Sequence, residues 1–241
     1  MGTDIHFYTE VKDGDKWVTA NKWTDKYNDG ELYADEMYDG RNYSLFGMLA
    51  DVRNGSGFAG CDLGDGFIPI AEPRGIPGDA SAEVKAEWER GGDHTPTHLT
   101  LSELLKYNWC MTTKQRGTLS IEEYIKYIYS WKYRHDEDKC PDSYSGGCSG
   151  GNVVHMDREK IDNIISAIDV KDIRHHEKAD HVIKEIQKGL PKGKSIYLRI
   201  EWEAPYYLAA GDFLNRTLPK LLTLSKSPTF DDVRVVFWFD N

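Results

Sequence analysis

Polar and apolar residues alternate at both ends of the chain and follow a helical period through its middle, and this contrast sets the predicted architecture. From Asp4 onward, Ile5, Phe7 and Val11 share one side of an extended segment while Asp4, His6, Tyr8 and Glu10 share the other. Asp13-Gly14-Asp15 supplies hairpin-turn chemistry, so Trp17 to Trp23 returns as a second strand. Further along, Ile196, Leu198, Ile200 and Trp202 alternate with Tyr197, Arg199, Glu201 and Glu203. Val233, Val235, Phe237 and Phe239 then alternate with Arg234, Val236, Trp238 and Asp240. Residues 207–224 between these two segments read as a helix interrupted at Pro219. A strand, helix and strand of this size fit a right-handed crossover between parallel neighbours.

The middle of the chain is helical in period. Leu45, Phe46, Leu49 and Val52 recur at helical spacing over 43–53, and residues 80–90 read as a helix. Thr100-Leu-Ser-Glu103 and Ser120-Ile-Glu-Glu123 are capping boxes that each open a further helix. Ile121, Tyr124, Ile125 and Ile128 form one apolar stripe, and Ile161, Ile164, Ile165 and Ile168 another. Residues 172–188 read as a helix ended by Gly189 and Pro191. Residues 54–77 read as a long glycine-rich loop with one short strand at Phe67 to Ile70. The prediction is an α+β fold: a mixed sheet built from the N-terminal hairpin and the C-terminal β-α-β, with a largely helical middle insertion. It is drawn as a single domain over 1–241, with sheet elements in 1–24 and 194–241 and the helical and loop excursion over 41–190.

Length and charge narrow the function. A chain of 241 residues can bury a sizeable core, and a formal net charge of -10 argues against generic binding to nucleic-acid phosphates or anionic membrane. With no run of eighteen apolar residues and no basic segment leading into an apolar one, a cytoplasmic protein is expected. Cys61, Cys110, Cys140 and Cys148 include no C-x-x-C pair, which suggests reduced thiols.

Three strand faces share a polar, aromatic character: Asp4, His6, Tyr8 and Glu10; Tyr197, Arg199, Glu201 and Glu203; and Arg234, Trp238 and Asp240. If they lie side by side they form one surface. Arg41, Arg53 and Arg74 flank glycine-rich segments, where guanidinium forks suit an anionic ligand. The segment Gly55 to Gly66 can cradle a ligand with backbone N–H groups, although it has neither a Walker ending nor calcium-loop spacing, and glycines required by a turn explain it more simply. Asp4-Ile5-His6 opens like the Asp-x-His strand of metal-dependent phosphoesterases, so Asp4, His6, His94 and His98 are one candidate metal set, for zinc or manganese. Tyr8 stands where such families place a second His. His135, Cys140, Cys148 and His155 are a second candidate set, with spacings that match no common zinc finger.

The opening Met-Gly-Thr-Asp-Ile-His, the segment Gly40 to Asn54, the Glu72-Pro-Arg-Gly75 turn and the ending Val236 to Asn241 resemble a family of hypothetical proteins encoded by bacteriophages and bacteria. The resemblance implies a phage or prophage accessory protein in the cytoplasm of a host bacterium, with host takeover or counter-defence as its setting, and implies no mechanism. Thr3 stands where the family usually has Cys, and His94-Thr-Pro-Thr-His98 where it has a His-x-His segment.

The expected function is binding of a small anionic, nucleotide-derived ligand, with Asp4, His6, Tyr8, Arg41, Arg53, Arg74, His94, His98, Arg199, Trp238 and Asp240 as candidate contacts. A metal-dependent hydrolase or phosphoesterase is the alternative, and an acidic inhibitor of a host protein is a third. No residue is assigned a catalytic role.

Overall fold

The computed structural model describes residues 2–129, 140–189 and 193–241. In chain order the elements are β1 (Asp4–Asp13), β2 (Lys16–Thr19), β3 (Lys22–Thr24), β4 (Tyr33–Asp35), α1 (Tyr43–Ala50) and α2 (Ala82–Gly91). Then come β5 (His94–Thr100), α3 (Leu101–Lys106), β6 (Thr112–Ser120), α4 (Ile121–Tyr129), β7 (Val153–His155) and α5 (Arg158–Ser166). The last are α6 (Lys178–Gly189), β8 (Ser195–Pro205), α7 (Leu218–Ser225) and β9 (Asp232–Asp240). The fold is α+β. Both capping boxes form: Thr100 and Glu103 exchange backbone and side-chain bonds at the start of α3, and Ser120 and Glu123 do so at α4. Among the described residues no helix is long and apolar enough to cross a membrane.

Two compact units emerge, one from Met1–Asn54, Phe67–Met111 and Tyr206–Asn241, the other from Gly55–Gly66 and Thr112–Pro205. In the first, an antiparallel sheet runs in the order β2-β1-β9-β5. Its centre is β9, whose apolar run Val233 to Phe239 is interrupted only by Arg234 and is buried on both faces. Ile5, Phe7, Val235, Phe237 and Phe239 turn to one face, against Leu45, Phe46 and Leu49 of α1, Leu104 of α3 and Leu221 of α7. Tyr8, Val236 and Trp238 turn to the other, beneath Val84 and Trp88 of α2 and Trp23 of β3.

That second face also buries charge. Glu10 lies opposite Arg234 in the β1–β9 register, and Arg234 Nε donates to Glu10 Oε2 at 2.7 Å. The guanidinium also donates from Nη1 to Asp79 Oδ1 at 2.8 Å, and its Cζ stands 4.0 Å from the Trp17 ring centroid. Ser81, the N-cap of α2, donates its backbone N–H to Glu10 Oε1 at 2.6 Å. The ion pair therefore anchors the start of the covering helix to the sheet. The mainly polar outer face expected for the first and last strands is instead largely an interior.

In the second unit β8 pairs antiparallel with β6 and parallel with β7. Ile196, Leu198, Ile200 and Trp202 face Ile125 of α4, Ile161 of α5 and Val182 and Ile186 of α6. On the opposite face Arg116 sits directly across from Glu201, with Nε 2.9 Å from its carboxylate, and reaches Asp65 at 2.6 Å. The glycine-rich segment is stitched along β6, and Gly64 shows why it needs glycine. Its φ is +129°, and a Cβ there would stand 2.1 Å from the Lys114 carbonyl oxygen.

The sheet predicted from the N-terminal hairpin and the C-terminal strands is corrected on two points: the return strand expected over Trp17 to Trp23 is split, with β2 in the sheet and β3 paired with β4 in a separate two-stranded sheet, and β8 does not join β9. The two strands differ in kind. β9 is buried on both sides, whereas β8 alternates strictly and carries Arg199, Glu201 and Glu203 outward. Placed beside β9 under a second layer, those charges would be desolvated without partners. Phe67 to Ile70 is not a strand: Phe67 packs into the first core, and Ile70 N donates to Met48 O at 2.8 Å.

Candidate functional site

At one end of the first unit's sheet, β1 begins, β9 ends and β5 begins. Asp4 lies directly opposite Asp240, a like-charge pair that would repel if left alone. Each carboxylate has its own cation. Arg41 forks onto Asp4, with Nε at 2.7 Å from Oδ1, and its hydrogen bond holds the Asp4 carboxyl below the usual carboxylate range. His6 Nε2 lies 3.2 Å from Asp240 Oδ2, while Nδ1 faces Glu36 Oε1 at 3.7 Å. Glu36 raises the imidazole pKa most, partial burial opposes it and Asp240 adds to it, so the value climbs from 6.5 to about 9. His6 is therefore an imidazolium at neutral pH, clamped between two carboxylates and stacked on Trp238 at 5.9 Å. It is unsuited to be a general base.

Tyr8 and Trp238, candidate contacts in the sequence, stack on each other at 4.8 Å and are only 3% and 1% exposed, so neither offers a face to a ligand. Burial pushes the Tyr8 phenol well above its ordinary pKa, which keeps it protonated. His98 directs Nδ1 to the Gly75 carbonyl oxygen at 3.2 Å. Arg74 is paired with Glu103 of the capping box. Arg199 belongs to the second unit, where it binds Asp62 and the Gly146 carbonyl.

The structure also explains why His6, His94 and His98 do not converge. Residues four apart in a regular strand share a face, but β5 carries a bulge between His94 and Thr97. The extra residue sets His94 opposite Phe239 and His98 opposite Val236, whose side chains point to opposite sides of the sheet. His94 stacks on Phe239 at 5.9 Å, whereas His6 stacks on Trp238 on the other face. In the second candidate set, His155 Nε2 bonds the Cys148 carbonyl oxygen at 2.7 Å and Cys140 Sγ donates to the Glu203 carbonyl, while His135 lies outside the described residues. Among the described residues no group of three or more His, Cys, Asp or Glu side chains is placed to hold a metal ion.

Next to the Asp4–Asp240 pair lies a shallow cavity of about 550 Å3, lined by Asp51, Val52, Arg53, His94, Thr95 and Asn241. Its backbone is strained. Asp51, Arg53 and Thr95 have φ of +59°, +53° and +52°, in the left-handed region that side chains disfavour, and Thr95 is β-branched. Asp51 is the left-handed C-cap of α1, and Thr95 is the bulge residue before Pro96. Arg53 Nε donates to the buried Thr3 hydroxyl at 2.7 Å, and Nη2 donates to Asn241 Oδ1 at 3.1 Å. His94 Nδ1 meets Thr95 Oγ1 at 2.9 Å, leaving Nε2 buried without a hydrogen-bond partner.

Of the residues named from sequence, Arg53 and His94 line this cavity, and Asp4, His6, Arg41 and Asp240 stand at the same sheet end. Glu36, Asp51, Thr95 and Asn241 were not foreseen. Thr95 precedes a proline and so reads as extended, and nothing local marks Glu36, which also accepts the Phe7 backbone N–H at 2.8 Å. Comparison with family models, curated proteins and solved structures finds no match to this chain.

Proposed function

We propose that the chain is a binding protein for a small anionic ligand seated in the cavity of Arg53, His94, Thr95 and Asn241, with nucleotides and cyclic dinucleotides the class to test first. The observation that carries this reading is the coincidence of strain and an unmet donor or acceptor. Arg53 and Thr95, two non-glycine residues in left-handed conformation outside a helix cap, line one cavity together with a buried imidazole nitrogen that has no partner. Such strain costs about 1–3 kcal/mol per residue and collects where a protein keeps a binding geometry in place. Arg53 and His94 supply nitrogen donors, and Asp51 is the one acidic side chain among the described lining residues. The hydrolase reading is less well supported, because His6 is held as an imidazolium and the histidines lie on different faces. For a phage accessory protein, sequestering a signal nucleotide is a counter-defence role.

Thermal shift and titration calorimetry on the full chain test this, with mononucleotides, cyclic dinucleotides and inorganic phosphate as probes. A ligand held at about a hundred times its Kd stabilises the folded state by about 2.7 kcal/mol. We expect that shift in the wild type and its loss in His94→Gln and Arg53→Lys. No shift from any probe, with flat calorimetry, overturns the reading, as does an equal shift in both variants.

A further inference from the structure

We propose that Cys61 and Cys148, both in the second unit, are the two halves of a reversible disulfide that forms when the protein meets a hydroperoxide. Two loops run along one edge of β6. The segment around Cys61 is fastened there by Arg116 N to Leu63 O at 2.9 Å and Asp65 N to Lys114 O at 2.9 Å. The segment before Cys148 is fastened by paired bonds between Ser145 and Thr118, at 2.7 and 3.0 Å. Arg199 then ties one loop to the other, donating from Nη2 to Asp62 O at 2.6 Å and from Nη1 to Gly146 O at 3.3 Å.

The contact this produces is close. A Cβ on Gly146 would stand 3.1 Å from Cys61 Cβ, and one on Gly147 would stand 3.5 Å from Cys61 Sγ. Glycine at both positions lets the loop backbone lie directly against the Cys61 side chain. Cys148 is the next residue, one Cα–Cα step of about 3.8 Å beyond Gly147, and a disulfide needs its Cα within roughly 4.4–6.8 Å of that of Cys61, so closure turns the loop at Gly146 and Gly147 and releases the His155 bond to the Cys148 carbonyl. Its sulfur already turns back along the loop, 3.1 Å from Ser145 Oγ. Both cysteines are half-buried and reduced. The other thiols are placed elsewhere: Cys140 packs against the core of the second unit, and Cys110 is exposed in the first.

The step balances with one hydroperoxide. One thiolate attacks a peroxide oxygen, the O–O bond breaks, and the departing oxygen takes a proton to leave as water or alcohol. The sulfenic acid so formed is attacked by the second thiolate, the S–O bond breaks, and water leaves as the S–S bond forms. Two electrons pass from the two sulfurs to the peroxide, and two thiol protons leave with the oxygens.

The test uses the full chain carrying Cys110→Ser, which removes the exposed thiol. The reduced protein is treated with equimolar hydrogen peroxide, alkylated and digested without reductant. We expect one linked peptide pair joining Cys61 to Cys148, loss of two alkylatable thiols, and recovery of both with dithiothreitol. In Cys61→Ser a dimedone adduct accumulates on Cys148 in place of the link, and Cys148→Ser places it on Cys61. Full alkylation of both cysteines after treatment, or a link that runs through Cys140, overturns the proposal.

Discussion

The His6 clamp makes a pH prediction that can be worked through. Its pKa rises from 6.5 to about 9 on folding, so the folded state binds a proton that the unfolded chain releases earlier. At about 1.36 kcal/mol per pH unit the full shift corresponds to roughly 3 kcal/mol, an upper limit. The His6 side chain is 34% exposed and Asp240 43%, so water and salt screen the pair and about 1–2 kcal/mol is the realistic contribution. For a group whose pKa is raised in the folded state, this contribution is complete below 6.5 and is lost as pH climbs through about 9. Urea unfolding of the wild type and His6→Gln, across about pH 6 to 10, reads it directly as the difference between the two stabilities. The gap should be about 1–2 kcal/mol near pH 6 and close between roughly pH 7 and 9.5. A gap that stays constant over this range, or an NMR titration that places the His6 pKa below 7, refutes the reasoning.

Two further perturbations probe the first unit. Arg234→Met alone leaves the fully buried Glu10 carboxylate without its cation and should cost about 3–5 kcal/mol in urea unfolding, whereas Glu10→Gln should cost less because Asp79 still pairs with Arg234, and the double variant Glu10→Leu with Arg234→Met should recover much of the larger loss; equal losses in Arg234→Met and the double variant would contradict it. Thr100→Ala removes one bond of the capping box at α3 and should cost about 1 kcal/mol, read as a lower Tm by calorimetry.

Much of the local structure is legible in the sequence alone. The turn at Asp13-Gly14-Asp15 and both capping boxes depend on turn and cap chemistry within a few residues, and all three form where the pattern placed them, although the return strand ends at Thr19 rather than running on to Trp23. The last strand forms where its alternation placed it, but the side carrying Arg234, Val236 and Trp238, expected as a polar outer face, is buried as well. β5 and β6 were not read. β5 carries Pro96, and β6 buries Thr113, Gln115 and Thr118 rather than an apolar row, so neither shows the alternation that announces a strand.

For the candidate site, the sequence by itself determined the chemistry on offer: Asp4, His6, Arg41, Arg53, His94 and Asp240 are ionisable groups near element ends, and their types follow from composition and period alone. Only the tertiary structure decided which of them meet. Strand register set Asp4 against Asp240, and Glu36 from a distant loop completed the clamp on His6. A single bulge residue sent His94 to the face opposite His98, where it lines the cavity beside Arg53. Pairing partners and bulges depend on contacts between residues far apart in the chain, and one residue of slip reverses every side chain, so no local pattern specifies them.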